Sequence, residues 1–377
     1  MRILLNAKIL ISPKTGIGQY VYELARSLKN NTEIDLCLFD GFRTIDDVPE
    51  GAWPNYNNIA GLIKKIPGAY ILRRVFDQNL FDRAVQSNKP SVYHEPSLWP
   101  LRFDGPMVMT LHDLTHVHYP QTQPRDRLRE IERRLPDGLQ QAARILVDSQ
   151  AVADEASRYY GIPAERLQVA PLGYAERFQP RSVAQLRPAL HGFSVEPRGY
   201  LLCVGTLEPR KNLQQALLAF LGLPAALRER YPLLLVGMPG WCGAALESLL
   251  QKAQDSGQVR QLGYQDEHSV ALLLAGAKAL LFPSRYEGFG LPVLEAMASG
   301  TPVVACHSAA VAEVAGAAAL YAETDDVEGF RQAISLLLED ALLWECQREL
   351  GLQRAQHFSW ARCARITAAV YREACSL

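Results

Sequence analysis

Short, nearly unbroken apolar runs alternate along this chain with longer segments whose apolar residues recur at helical spacing. In the first half, residues 3–5, 34–39, 91–94, 107–111, 144–149 and 168–173 read as strands. Between them, residues 19–28 place Tyr20, Val21, Leu24 and Leu28 on one helical face. Residues 77–86, 125–143 and 151–160 are also predicted helices. The second half repeats the alternation, with strands at 199–205, 232–237, 259–263 and 279–282 and another starting at Pro302. Its predicted helices cover 213–220, a segment closing at 272–276, a stretch from Leu291 to Gly300, then 327–338, 342–356 and 359–375. Apolar strands alternating with helices predict an α/β protein with parallel sheets buried on both faces. Residues 41–75 are the least regular part, and 178–197 form a variable stretch before the second half.

Length changes this picture first. A chain of 377 residues exceeds what one core ordinarily serves, so two domains are expected. An apolar fraction of 48% and a net charge of -1 describe an ordinary globular protein and imply no polyanion partner. The seven cysteines are scattered without paired spacing, which reads as reduced thiols in a cytoplasmic protein. The first apolar run is too short for a signal peptide, and nothing approaches the ~20 apolar residues of a membrane span. Any membrane role is therefore expected to be peripheral. Lys64-Lys65, Arg73-Arg74 and the arginines of the 125–143 helix could serve it. That helix interleaves Arg125, Arg127, Arg129, Arg133 and Arg134 with Asp126, Glu130 and Glu132, so its charges compensate at helical spacing. A solvated face is the simpler reading.

The chemistry concentrates between Phe282 and Ala305. A strand ends at Phe282, a turn follows through Glu287-Gly288-Phe289-Gly290, and a helix opens at Leu291 with Pro292 at its start. Strand, glycine turn and helix N-terminus together present free amides at the positive end of a helix dipole, which suits an anion. Glu287 and Glu295 bracket the turn. Carboxylates do not bind phosphate, so their natural partners are hydroxyls, and the combination describes a nucleotide-sugar site. Arg210 and Lys211 stand at the start of another helix, where the dipole disfavours cations, and so point to a nearby anion. Asn212 is placed to cap that helix. Gly16 and Gly18 form a glycine loop after the first strand, where ligands of open parallel sheets collect. His112 ends a central strand. With His116 and His118 it invites a metal reading, which the lack of any accompanying ligand group argues against.

Glu287 and Glu295, with Gly-Phe-Gly-Leu-Pro between them and Ala-Met-Ala-Ser-Gly-Thr-Pro after, resemble the signature of family 4 retaining glycosyltransferases of the GT-B fold. The resemblance is strong over 200–320 and weak before residue 100. It implies two Rossmann-like, doubly wound domains facing across a cleft. The first, 1–172, would take the acceptor and the second, 173–356, the donor. Residues 357–377 would form a helix packing back on the first domain. The resemblance implies Glu287 as the carboxylate holding the donor sugar, His112 as the acceptor-side histidine, and Glu295 on the ribose diol. Arg210 and Lys211 would carry the diphosphate, with Gly16, Gly18, Gly288, Phe289, Gly290 and Leu291 lining the substrate. Thr206 stands where some members have arginine, and the 306–314 loop is poorer in glycine and serine than is usual in the family.

The implied reaction moves a hexose from a nucleoside diphosphate sugar to a saccharide or lipid-linked acceptor in surface polysaccharide synthesis, with no metal or other cofactor. The Gly205–Asn212 segment is similar to that of many mannosyl- and rhamnosyltransferases, which favours GDP-mannose or a GDP-deoxyhexose over UDP-sugars. Two alternatives stay open at this point: another GT-B enzyme such as a sugar-nucleotide epimerase, and a non-catalytic sugar-nucleotide-binding subunit. Front-face attack and double displacement through Glu287 also stay open.

Overall fold

The computed structural model describes residues 1–12, 16–49, 69–238, 240 and 243–377. The chain divides into two compact units. The first comprises Met1–His118, Gln123–Gly173 and Ser359–Leu377, and the second Tyr119–Thr122 and Tyr174–Phe358.

The first unit is built on β1 (Arg2–Asn6), β2 (Asp35–Phe39), β3 (Thr44–Ile45), β4 (Val92–Glu95), β5 (Met107–Leu111), β6 (Ala142–Val147) and β7 (Leu167–Val169). They lie in the order β3-β2-β1-β4-β5-β6-β7. All neighbours are parallel except β2 and the short edge strand β3. Ile3, Leu4, Leu5, Met107, Val108 and Met109 are fully buried, which is why these strands read as continuous apolar runs rather than alternating ones. The order reverses between β1 and β4, the kind of switch point where ligands of doubly wound sheets bind.

The second unit has six strands: β8 (Leu201–Val204), β9 (Leu233–Val236), β10 (Val259–Gly263), β11 (Ala279–Phe282), β12 (Val303–Cys306) and β13 (Ala319–Ala322). Every pairing is parallel, in the order β10-β9-β8-β11-β12-β13, with the switch point between β8 and β11. Leu201, Leu233, Leu281 and Val304 project from the strands into one apolar cluster with Phe220, Phe330 and Leu337 from the covering helices. Both units thus have the doubly wound α/β architecture expected from the alternation of elements.

Several expectations need correction. Gly16 and Gly18 are not in a loop: they form the first turn of the helix Gly16–Lys29. First-turn N–H groups have no intrahelical partner to lose, so glycine is tolerated there while the buried face farther along holds the helix. Residues 69–75 are not irregular, because a helix runs from Ala69 to Asn88. Lys64-Lys65, and the side chains of Arg73 and Arg74, lie outside the described residues. So do Thr15, which precedes Gly16, and Pro239, which follows the strand expected at 232–237. The variable stretch contains the helix Val183–His191, opened by a capping box in which Ser182 and Gln185 satisfy each other's backbone amides. The 306–314 loop is largely the helix Ala309–Ala315. Its alanines favour helix, and Ala310, Val311, Val314 and Ala315 bury one face. The Arg-rich helix ends at Gln141, with Arg133 and Arg134 both reaching Glu130, at 3.7 and 3.0 Å. Among the described residues no helix is long and apolar enough to cross a membrane.

The C-terminal helix Trp360–Ser376 packs on the helix Gly16–Lys29 within the first unit. Its anchor is Tyr371, fully buried, whose hydroxyl shares a 2.6 Å hydrogen bond with His94 Nδ1. His94 Nε2 meets Thr110 Oγ1 at 2.7 Å, and Thr110 meets the Tyr20 hydroxyl at 2.9 Å. Burial, with a smaller push from His112, drives the His94 pKa down to about 3, so the ring is neutral and one nitrogen must accept. Tyr371→Phe should remove one partner of this buried chain and lower unfolding free energy by about 1–3 kcal/mol. Urea denaturation monitored by circular dichroism checks this; an unchanged midpoint would mean that the hydroxyl contributes nothing.

Candidate active site

The loops after β8, β9 and β11 meet at the carboxyl ends of the second sheet. Gly237 sits with φ +152°, and a Cβ there would stand 1.9 Å from the Gly205 carbonyl oxygen, so only glycine allows the β8 and β9 loops to approach this closely. Leu207 N donates to the Met238 carbonyl at 3.1 Å and holds the two loops together. A pocket opens beside them, lined by residues that include Gly205, Thr206, Lys211, Val236, Phe282 and Ser284.

Glu287 contacts the lining Lys211, and only 10% of its side chain is exposed. Lys211 Nζ donates to its Oε1 at 2.6 Å, and Arg210 Nη1 donates to its Oε2 at 3.0 Å. Arg210 Nη1 also donates to the Tyr286 carbonyl at 2.7 Å, and Nη2 to Glu208 Oε1 at 2.7 Å. Burial alone would raise the Glu287 pKa; Lys211 and Arg210 outweigh it and hold the group at about 2. The anion that the two cations call for is therefore, within the chain itself, a carboxylate.

Gly290 caps the helix Leu291–Ala298 with φ +101°, a left-handed conformation suited to glycine. Gly288, Phe289 and Gly290 are buried, Leu291 opens the helix beside Pro292, and Glu295 is half-buried on it. Asn212 stands at the N-cap of the helix Leu213–Leu221, but its side chain does not cap it. With φ +50°, its carboxamide turns instead to Gln215 and Arg285.

In the first unit, His112 follows β5 and Asp148 follows β6. The strands pair Leu111 with Val147, so the next residue of each falls side by side. His112 Nδ1 lies 2.8 Å from Asp148 Oδ2, and its ring meets Tyr20 edge-on at 4.6 Å. Burial pulls the His112 pKa down; Asp148, aided by Asp113 and the Pro96 carbonyl, more than reverses this and raises it. Nε2 is buried and makes no hydrogen bond. His116 and His118 turn away to Tyr160 (2.5 Å) and Glu155 (3.3 Å) on the helix Gln150–Tyr160. Among the described residues no group of three or more His, Cys, Asp and Glu is gathered as a metal would need. Gly16 is exposed and Gly18 buried in the first turn of their helix.

Sequence reasoning missed Asp148 and Glu208. The offset of one residue past adjacent strands could have found Asp148. Glu208 is two residues from Arg210, and no local pattern distinguished it from a solvated acid.

Residues 14–176 match the model of Glycosyltransferase Family 4, and residues 192–353 that of Glycosyl transferases group 1. The chain is 34% identical to O-antigen chain mannosyltransferase B of Escherichia coli, over 99% of this chain and 100% of that one. It belongs to the family 4 glycosyltransferases. The fold of this glycosyltransferase is GT-B, as in the Anabaena protein HepE in complex with UDP and glucose (TM-score 0.74, 18% identity, 100% of both chains). WaaG, a glycosyltransferase involved in lipopolysaccharide biosynthesis, matches similarly (TM-score 0.73, 15% identity, 98% of this chain and 99% of that one).

Two predictions follow from the glycosyltransferase's ion pairs. Glu287 has its pKa lowered from 4.5 to about 2, so its contribution is complete above pH 4.5 and lost as pH falls through about 2. That difference is worth about 3 kcal/mol. The stability gap between wild type and Glu287→Gln should therefore narrow as pH is lowered from 5 toward 2; a gap independent of pH would rule out the buried ion pair. For His112, Asp148→Asn removes the main raising influence, so the imidazole pKa should fall from its wild-type value. NMR titration of the ring reads it directly, and a pKa unchanged from wild type would rule out the pairing.

Proposed function

We propose that this chain transfers mannose from GDP-mannose, with retention at the anomeric carbon, to a hydroxyl of a saccharide or lipid-linked acceptor in surface polysaccharide synthesis. The observation that carries this reading is the Arg210–Lys211–Glu287 cluster at the β8/β11 switch point, two cations and a hydroxyl-seeking carboxylate in direct contact, with Lys211 lining the pocket there. Mannose as the sugar is supported by the whole-length similarity to an O-antigen chain mannosyltransferase, with a GDP-deoxyhexose as the second choice of donor.

In this proposal the bond from the sugar C1 to the diphosphate oxygen breaks, and its electron pair leaves with the phosphate. The acceptor oxygen bonds C1 from the same face and its proton passes to the departing phosphate oxygen. Arg210 and Lys211 meet the charge that develops there, aided by the amides of Gly288, Phe289, Gly290 and Leu291 at the helix start. With protein cations in that role, no metal is required. A carboxylate held at about pKa 2 is a weak base and a weak nucleophile, which supports Glu287 as an acceptor for sugar hydroxyls rather than as an attacking group. Glu295 takes the ribose diol. His112 presents its unpaired Nε2 to a sugar or acceptor hydroxyl, beside the helix start at Gly16 and Gly18. The chain works in the cytoplasm, with any membrane association peripheral.

Titration with GDP, UDP and ADP tests the donor, because a ligand that binds only the native state raises the melting temperature. GDP should give the largest shift; a larger one with UDP would overturn the donor assignment. Arg210→Ala and Lys211→Ala should each lose roughly 1.5–3 kcal/mol of transition-state stabilisation, about one to two decades in kcat/KM. His112→Ala should keep GDP affinity while transfer falls steeply. NMR of the product decides retention, and an inverted anomeric configuration would refute it.

A further inference from the structure

One arginine of the second unit stands beside the cation turn without touching Glu287. Arg285 follows β11 and lies two residues before Glu287. Its guanidinium grips both oxygens of Asp325 at 2.5 Å each and donates through Nη2 to Asn212 Oδ1 at 3.1 Å. Its backbone N–H donates to the Arg210 carbonyl at 2.9 Å. A single residue thus holds the turn that carries Arg210 and Lys211 by its backbone at one end and by its side chain at the other.

The opposite side of the turn is fixed from within. Gln215 is 2% exposed, and its Oε1 accepts from Asn212 Nδ2 at 2.7 Å and from Asp325 N at 2.9 Å. Its Nε2 donates to the carbonyls of Glu323 and Asp326 at 3.0 and 3.1 Å. Asn212 (φ +50°) and Asp325 (φ +71°) are among the few non-glycine residues in the left-handed region. Such backbone persists only where surrounding contacts hold it, and here the side chains of both residues converge on Arg285. The turn after β8, the loop after β11 and the loop after β13 are therefore one fastened unit.

We propose that Arg285 is a positioning residue for the donor site: it fixes the turn so that Arg210 and Lys211 stand ready for the diphosphate. The inference rests on reading those two cations as the diphosphate ligands. Arg285 acts by its planar fork, which reaches Asp325 and Asn212 together, and a lysine ammonium cannot reproduce that geometry. Its pairing with Asp325, whose side chain is 64% exposed, contributes little to overall stability. Its effect should therefore be seen in binding and not in unfolding.

The test is isothermal titration of the full chain with GDP, and in parallel with UDP, alongside thermal unfolding. Arg285→Ala should weaken binding of the preferred nucleotide about tenfold, as expected for one lost charge-assisted contact, with an almost unchanged melting temperature. Asp325→Ala should weaken it in the same direction, and the double variant should lose no more than Arg285→Ala alone, since both act through one contact. Arg285→Lys should fail to restore affinity. Full rescue by lysine would overturn the proposal, showing that Arg285 acts by charge on the ligand. Wild-type affinity in Arg285→Ala, or an affinity loss matched by a fall in melting temperature, would also overturn it. Should the unaltered chain bind neither nucleotide, the donor-site reading falls and this inference with it.

Discussion

A carboxylate with little access to water is tolerable only when opposite charge stands against it, and Glu287 meets that condition through Arg210 and Lys211. Much of the second unit's upper edge is arranged around this constraint. β8 and β11 must be neighbours for their loops to meet, so the switch in strand order and the ion cluster belong together. The glycines at 205 and 237 let the loops close in, and Arg285 ties the turn from behind.

The first unit settles a similar problem with mostly neutral groups. Tyr371, His94, Thr110 and Tyr20 form a buried chain of shared hydrogen bonds, and the Tyr20 ring is the surface against which His112 stands. Asp148 supplies a formal charge against the ring and meets Nδ1 at 2.8 Å. The orientation of His112 is thus set partly by a helix from the far end of the chain.

Both sheets were legible because each central strand is an unbroken apolar run and each crossover a helical period. So was the core of the candidate site: Glu287, Gly290 and Glu295 share one local stretch, and Arg210-Lys211 another. What could not be read were pairings that exist only after strands align. Asp148 beside His112 is a matter of register, and Arg285 beside Asn212 and Asp325 joins three loops far apart in the chain. The contact of Arg210 and Lys211 with Glu287 was not legible for the same reason. A cation pair at a helix start announces an anion, but not that the anion is Glu287. Helices at 183–191 and 309–315 were lost to short length, where a capping box or an alanine run is the only signal.

Residues Tyr174–Phe358 lie between two parts of the first unit in the chain, so the first unit is discontinuous in sequence. During synthesis the second unit is made before the helix Trp360–Ser376, which belongs to the first. Until Tyr371 is made, His94 lacks its Nδ1 partner inside the first unit's core. The first unit can therefore close its core only after the whole second unit has been synthesised.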